Sequence, residues 1–364
     1  MSGWLAAKRL LAIRLDNAGD LVMLGPALRA IKETSPGVHL TLLATSAGAA
    51  VAPLLPAVDD VMVWRPVWQD LGRSSADPAR DRELIDSIAE RGFDGAIVFT
   101  SFRQNPHVPG YVCYLAGVPL RAGESKEFGG ATLTDEFASG GDDLHQAERN
   151  LRLVERLGFA TADRALRLSV PDDARDAAAW HLRRVGIARD APFALLHPGA
   201  SASARRYPAD RFARVAALLT AQGLPVLATG SAREAADLAT VSGGGSVPAL
   251  AGETTLPELA ALVEMAAVVV CGNTLPLHLA DAAGTPVACL FSGTDLESQW
   301  RPRHAPHRLL RVETPCHPCY LIDCPIGKPC LDVEPETVAG EVFDLLGAER
   351  STATVGAMAR EAAS

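Results

Sequence analysis

The stretch Val268 to Gly284, VVVCGNTLPLHLADAAG, constrains the fold more than any other part of the chain. The β-branched run Val268 to Cys271 ends at Gly272. Asn273 and Thr274 are then helix-capping residues, and Pro276 lies in the first turn of the helix that follows. Gly284 and Pro286 stop this helix, and residues 287–291 read as the next strand. Strands joined through a helix run parallel, so a parallel sheet with helices on its faces is expected. The helix start offers unpaired N–H groups and a positive dipole end to an anion, and His278, about one turn in, can add a side-chain donor to a phosphate. An ordinary βαβ unit with a solvated His278 accounts for the same residues.

The same alternation runs through the rest of the chain. Strands are expected at 8–16, 38–44, 60–64, 94–99 and 166–170, with helices at 20–34, near 46–54, at 79–91, 144–157 and near 173–185. Leu21, Leu24, Leu28 and Ile31 share one face of the helix over 20–34. Segments 65–80 and 123–143, rich in Gly, Ser and Pro or in Gly, Ser, Thr and acids, read as loops. A second series begins at 193–197 and continues with helix 208–222, strand 224–229, helix 232–241, strand 248–251 and helix 255–266. At 364 residues the chain has room for two cores. The expectation is α/β: two Rossmann-like doubly wound parallel-sheet domains at 1–175 and 176–345, facing an interdomain cleft, with a tail at 346–364.

Composition narrows the partners. A net charge of −9 supplies no cationic field for a phosphate backbone, so no nucleic acid is expected. No apolar run approaches ~18 residues, and Lys8, Arg9 and Arg14 interrupt the first apolar stretch, unlike a signal-peptide core. A cytoplasmic, soluble protein is expected. Seven cysteines is an odd count, and Cys113, Cys271 and Cys289 lie in apolar surroundings, which fits reduced, buried thiols.

Polar residues recur just past the strand ends. Asp20 follows the first strand and the turn Asn17-Ala18-Gly19, where it either caps the helix or projects into a cleft. His197-Pro198-Gly199-Ala200-Ser201 with Ser203 and Arg205-Arg206-Tyr207-Pro208 offers hydroxyls, backbone donors and a guanidinium able to hold a diphosphate bidentately. Glu234, in the first turn after a strand, can accept from ribose hydroxyls or merely favour the helix dipole. Near the C-terminus, Cys316, Cys319, Cys324 and Cys330 are spaced C-x2-C-x4-C-x5-C with His317 and Asp323 interleaved. Four thiols in this pattern could hold zinc or an iron–sulfur cluster, form a redox-dependent disulfide, or stay reduced in a structural loop. The loop is expected to be dispensable for chemistry.

Taken together, Arg14…Gly19-Asp20, His197 to Ser201 with Arg205 to Pro208, Thr229-Gly230…Glu234, Leu250-Ala251-Gly252 and Asn273-Thr274…His278-Leu279-Ala280 resemble glycosyltransferase family 9, the ADP-heptose:lipopolysaccharide heptosyltransferases and their relatives. The resemblance covers about residues 8–345. It implies a GT-B fold, an acceptor-binding first domain, a nucleotide-sugar-binding second domain, and a last helix around 335–347 packing back on the first domain. It implies an inverting, metal-independent glycosyltransferase that uses an ADP-sugar donor and no cofactor. Asp20 matches the general base, and Ser201, Ser203, Arg205, Glu234, Thr254, Asn273, Thr274, Leu275 and His278 fall at donor-binding positions.

In that pattern Arg205 replaces a lysine, Asn273 an aspartate and Leu275 a glycine, so donor choice is the property most exposed to change. The acceptor is a glycan, a glycolipid or a small molecule, and a glycolipid acceptor would bring the enzyme to the inner face of a membrane. A nucleotide-sugar epimerase on the same fold, a transferase acting on a small metabolite, and a non-catalytic sugar-nucleotide-binding protein remain alternatives. A dinucleotide dehydrogenase is disfavoured, because the turn from Asn17 to Asp20 lacks G-x-G-x-x-G.

Overall fold

Strand β1 (Arg9–Arg14) is buried along almost its whole length, as a strand covered by helices on both faces must be. The computed structural model describes residues 3–69 and 77–361, which divide into Met1–Ser169 and Val170–Ser364. The division falls ahead of the helix that begins at Asp172. In the first unit β1 pairs with β2 (His39–Ala44) and with β4 (Gly95–Val98). Strands β3 (Asp60–Val63), β5 (Leu120–Ser125) and β6 (Asp135–Ala138) complete a six-stranded, all-parallel sheet in the order β3-β2-β1-β4-β5-β6. The chain leaves β1 for β2 on one side and returns to β4 on the other. The switch point therefore opens beyond the carboxyl ends of β1 and β4.

The helix expected over 20–34 is two helices, α1 (Ala18–Val22) and α2 (Gly25–Thr34), because Pro26 has no N–H to continue a ladder and starts a new first turn. Met23, left between them, has its carbonyl bonded instead by the buried Asn150 Nδ2 at 3.0 Å, from helix α3 (Gln146–Arg156). Leu21, Leu24, Leu28 and Ile31 are fully buried, as their spacing predicts.

Two expectations fail here. Segment 166–170 forms no strand but an extended run bonded to the loop beside it, Ser169 N–H to Leu54 O. The loop expected over 123–143 holds the end of β5 and all of β6, a four-residue edge strand too short and acidic to be read from periodicity. Residues 70–76 of the expected loop at 65–80 lie outside the described residues.

The second unit opens with α4 (Asp172–Arg184) and builds another six-stranded parallel sheet. Its strands are β7 (Ala194–His197), β8 (Val226–Gly230), β9 (Ala249–Ala251), β10 (Val268–Gly272), β11 (Val287–Leu290) and β12 (His307–Leu310), in the order β12-β11-β10-β7-β8-β9. β12 carries only a half-buried pattern and was not anticipated. The switch point here lies between β7 and β10. Cys271 and Cys289 face each other in register in β10 and β11, where burial, with each thiol beside the other, holds Cys289 protonated.

Helices α5 (Ala209–Ala221), α6 (Leu256–Met265) and α7 (Leu275–Ala283) flank the sheet, and α8 (Pro335–Glu361) follows the cysteine segment. Val338, Ala339, Val342 and Leu345 of α8 are buried in one core with Phe212, Val215 and Leu219 of α5. Over 338–345 the apolar stripe of this helix completes the second unit's core.

Candidate functional site

In the first unit, polar groups gather at the switch point. Arg14, the last residue of β1, is fully buried, and its guanidinium pairs with Asp16 (2.7 Å) and Asp20 (3.0 Å) and donates to Ser101 Oγ (2.9 Å). Asp20 does not cap a helix: Asn17 occupies the N-cap, and Asp20 sits inside the first turn of α1 with its carboxylate directed to Arg14. Asp16 Oδ1 also accepts from Gln104 Nε2 at 2.7 Å and from Gln69 Nε2 at 3.4 Å. Asp16, Ser101 and Gln104 were not foreseen. Asp16 could have been found as the first carboxylate past the end of β1.

A cavity of about 510 Å³ in this unit runs along α2, but its cations are already committed. Lys32 pairs with Asp59, and Arg29 donates to the carbonyls of Asp163 and Ala165, so this cavity adds nothing to the site.

In the second unit the loops after β7, β8, β10 and β11 meet because those strands are neighbours in the sheet. The turn after β7 lies across the end of β10, where a Cβ on Gly272 would come within 3.0 Å of Arg205 O. Arg205 reaches the loop after β11, pairing with Asp295 Oδ2 at 2.7 Å and donating to Thr294 Oγ1 at 3.2 Å. Asp295 also accepts from Thr294 Oγ1 (2.6 Å) and from Asn273 Nδ2 (3.3 Å). Asn273, expected to face a ligand, is buried and has both ends of its amide in use, since its Oδ1 accepts from Ser292 N–H and Ser292 Oγ. Ser292, Thr294 and Asp295 form a buried network that sequence reasoning missed. Its signal is the turn-type run Ser292-Gly293-Thr294-Asp295 following a strand.

Thr274 is the N-cap of α7 by backbone conformation, yet its side chain makes no cap bond, and its Oγ1 is buried with no hydrogen-bond partner. Leu275 opens the helix, and His278 is buried in its first turn, with its ring 6.3 Å from that of Trp300. Glu234 closes a capping box, its Oε2 accepting from Ser231 N–H (2.7 Å) and Ser231 Oγ (2.8 Å). Its other oxygen lies against Gly199, where a Cβ would sit 2.0 Å from Oε1, so only glycine lets the carboxylate take this position. His197 bonds Thr229 Oγ1 at 3.2 Å, and desolvation between the strands lowers its pKa below the usual histidine value, against a weaker opposing pull from Glu234.

Of the other expected residues, Ser201 is exposed on the turn after β7, and Ser203 donates to Asp323. Thr254 precedes the α6 cap, beyond the edge strand β9, and so lies at the margin of the set. Arg205, Glu234 and the pair Thr274 and His278 therefore come from three loops or helix starts along one sheet end. Such a sheet end, with a guanidinium, an unpartnered buried hydroxyl and a helix N-terminus, can hold a diphosphate. The four cysteines of the C-x2-C-x4-C-x5-C segment are free, and no group of three or more His, Cys, Asp or Glu side chains is gathered for a metal among the described residues.

Comparison with known proteins agrees with this architecture. Lipopolysaccharide heptosyltransferase 3 of Escherichia coli (strain K12) is 32% identical over 164 residues, 43% of this chain and 46% of that protein, so the chain spans less than half the length of that relative. Among solved structures, the glycosyl transferase family 9 protein from Veillonella parvula DSM 2008 superposes with a TM-score of 0.76 at 19% identity, covering 93% of this chain and 97% of that one. E. coli ADP-heptose lps heptosyltransferase II gives 0.75 at 20% identity, covering 94% and 99%. The family described as Glycosyltransferase family 9 (heptosyltransferase) matches residues 83–329, well over half of the chain. The chain belongs to glycosyltransferase family 9, the heptosyltransferase family.

Proposed function

We propose that this protein transfers a sugar, heptose, from an ADP-linked donor to a hydroxyl of a glycan or glycolipid acceptor, with inversion at the anomeric carbon. The observation that carries the reading is the Thr274 hydroxyl, buried and unpartnered at the N-terminus of α7, where a phosphate oxygen would accept from it. Arg205, half-buried on the adjoining turn, supplies charge and a planar pair of donors. The likeness to E. coli ADP-heptose lps heptosyltransferase II supports the same donor.

In this reading Asp20 accepts the proton of the acceptor hydroxyl as its oxygen attacks the anomeric carbon. The bond from that carbon to the β-phosphate oxygen breaks, and ADP departs with the electron pair. Arg205, Thr274 and the α7 N-terminus meet the charge that develops on the leaving diphosphate. No metal or cofactor enters this scheme, so turnover is expected to persist in EDTA.

Calorimetry with ADP, UDP and GDP tests the donor half, with ADP expected to bind tightest. Equal, vanishing affinity for all three would sink the nucleotide-sugar reading. His278→Ala should weaken ADP binding by about 1 to 3 kcal/mol if the imidazole bonds a charged phosphate. Release of ADP from ADP-heptose that depends on added acceptor separates transfer from epimerisation.

A further inference from the structure

The C-x2-C-x4-C-x5-C segment, Cys316 to Cys330, does not stand apart from the donor end of the second sheet. Cys319 N–H donates to Gly293 O (3.0 Å) and Tyr320 N–H to Thr294 O (2.8 Å), which ties the segment to the loop after β11. Ile322 O accepts from Ala204 N–H (2.9 Å), Asp323 accepts from Ser203 Oγ, and Lys328 Nζ donates to Arg206 O (2.8 Å), which ties it to the turn after β7. His317 Nε2 lies 3.2 Å from Glu297 Oε2, adding a side-chain link beyond the same β11 loop.

Two residues of this segment, Tyr320 at φ 54° and Lys328 at φ 61°, are the non-glycine residues in left-handed conformation among the described residues. Both are clip points. A side chain is held in that region only where its surroundings over-determine the backbone.

We infer that residues 316–330 are a strap that keeps the Ser203–Arg206 turn of the diphosphate site in register with Gly293–Asp295, the loop that holds its Arg205, so that Tyr320, Asp323 and Lys328 act as positioning residues for the nucleoside diphosphate. The inference rests on the donor site proposed above. The direct link between the loops is the pair of Arg205 with Asp295, and a diphosphate competes for that same guanidinium. When a phosphate draws Arg205 away from Asp295, the strap's bonds remain, because none of them uses the Arg205 guanidinium. A loop kept in place before the ligand arrives loses less conformational freedom on binding, and the gain appears as affinity.

ADP is the probe. Lys328→Met and Asp323→Ala, each removing one clip, should weaken ADP binding about 5- to 10-fold, the cost of one lost hydrogen bond. In turnover assays the loss should appear in KM for the donor with kcat little changed, and Lys328→Arg should restore it. A general loss of stability would instead move the melting temperature and leave the affinity of the folded fraction unaltered.

A second measurement needs no substitution. Cys319 and Cys324 are half-buried and Cys316 is exposed, so iodoacetamide labelling read by mass spectrometry should slow at Cys319 and Cys324 when ADP is added. Wild-type protein that binds none of ADP, UDP and GDP removes the donor site and the strap together. Wild-type protein that binds ADP, with unchanged affinity in both variants and unchanged labelling rates, overturns the strap alone.

Discussion

Arg14 holds two carboxylates, and the difference between them carries the sharpest test at the scale of single residues. Asp20→Asn is nearly isosteric and keeps an oxygen for the Arg14 guanidinium, so the fold should survive. A general base contributes typically ~10²–10⁴-fold, and turnover should fall by about that factor while ADP affinity stays almost unchanged. If Asp16→Asn abolished turnover and Asp20→Asn did not, the base would be Asp16.

His197 gives a pH prediction. Its pKa is lowered in the folded protein, so below the ordinary histidine value the unfolded chain takes up a proton that the folded one refuses. Its contribution is therefore complete above about pH 6.5 and is lost as pH falls from there, by at most about 1.4 kcal/mol per pH unit. Melting curves from pH 7.5 to 5.5 should drop less steeply for His197→Asn than for wild type, and parallel curves would assign the acid sensitivity elsewhere. Asp20, Arg205, Thr274 and His278 could be named as candidates because each follows a readable strand end. Asp295 was not, since its importance lies in contacts with Arg205 and Asn273 that are distant in sequence and visible only once β11 lies beside β10.

Elements were legible where periodicity is long and lost where it is short. β1, β10 and the helices flanking them follow from runs of buried apolar residues at strand or helix spacing. β6 and β12 are four-residue edge strands, each stabilised by a single neighbour, and local composition says little about such pairing. The break between α1 and α2 was readable at Gly25-Pro26, but the Asn150 bond that caps it lies far along the chain.

Helix α8 shows the same limit. Its existence was expected from the family resemblance, whereas the core its apolar stripe enters depends on topology. Leu345→Ala should destabilise the second unit by about 2–5 kcal/mol, the cost of a large-to-small change in a packed core. Denaturant unfolding followed by ADP binding would check this. A loss below about 1 kcal/mol would mean that the helix end frays and that the core closes without it.

At the scale of the whole molecule, the two sheets repeat one plan, each with a switch point marked by an arginine: Arg14 at the end of β1 and Arg205 on the turn beside β10. The net charge of −9 agrees with a small anionic ligand being met by local groups instead of by a general cationic field. The position of α8 also sets an order of events during synthesis. Val338, Val342 and Leu345 close the core around Phe212 and Val215, so more than a hundred residues of the second unit must wait for α8 to clear the ribosome before their core can close. The first unit, complete by residue 169, is under no such delay. A ribosome stalled at about residue 330 would then display a folded Asp20 end and an open Arg205 end, leaving the nascent second half exposed to chaperones and proteases until α8 emerges.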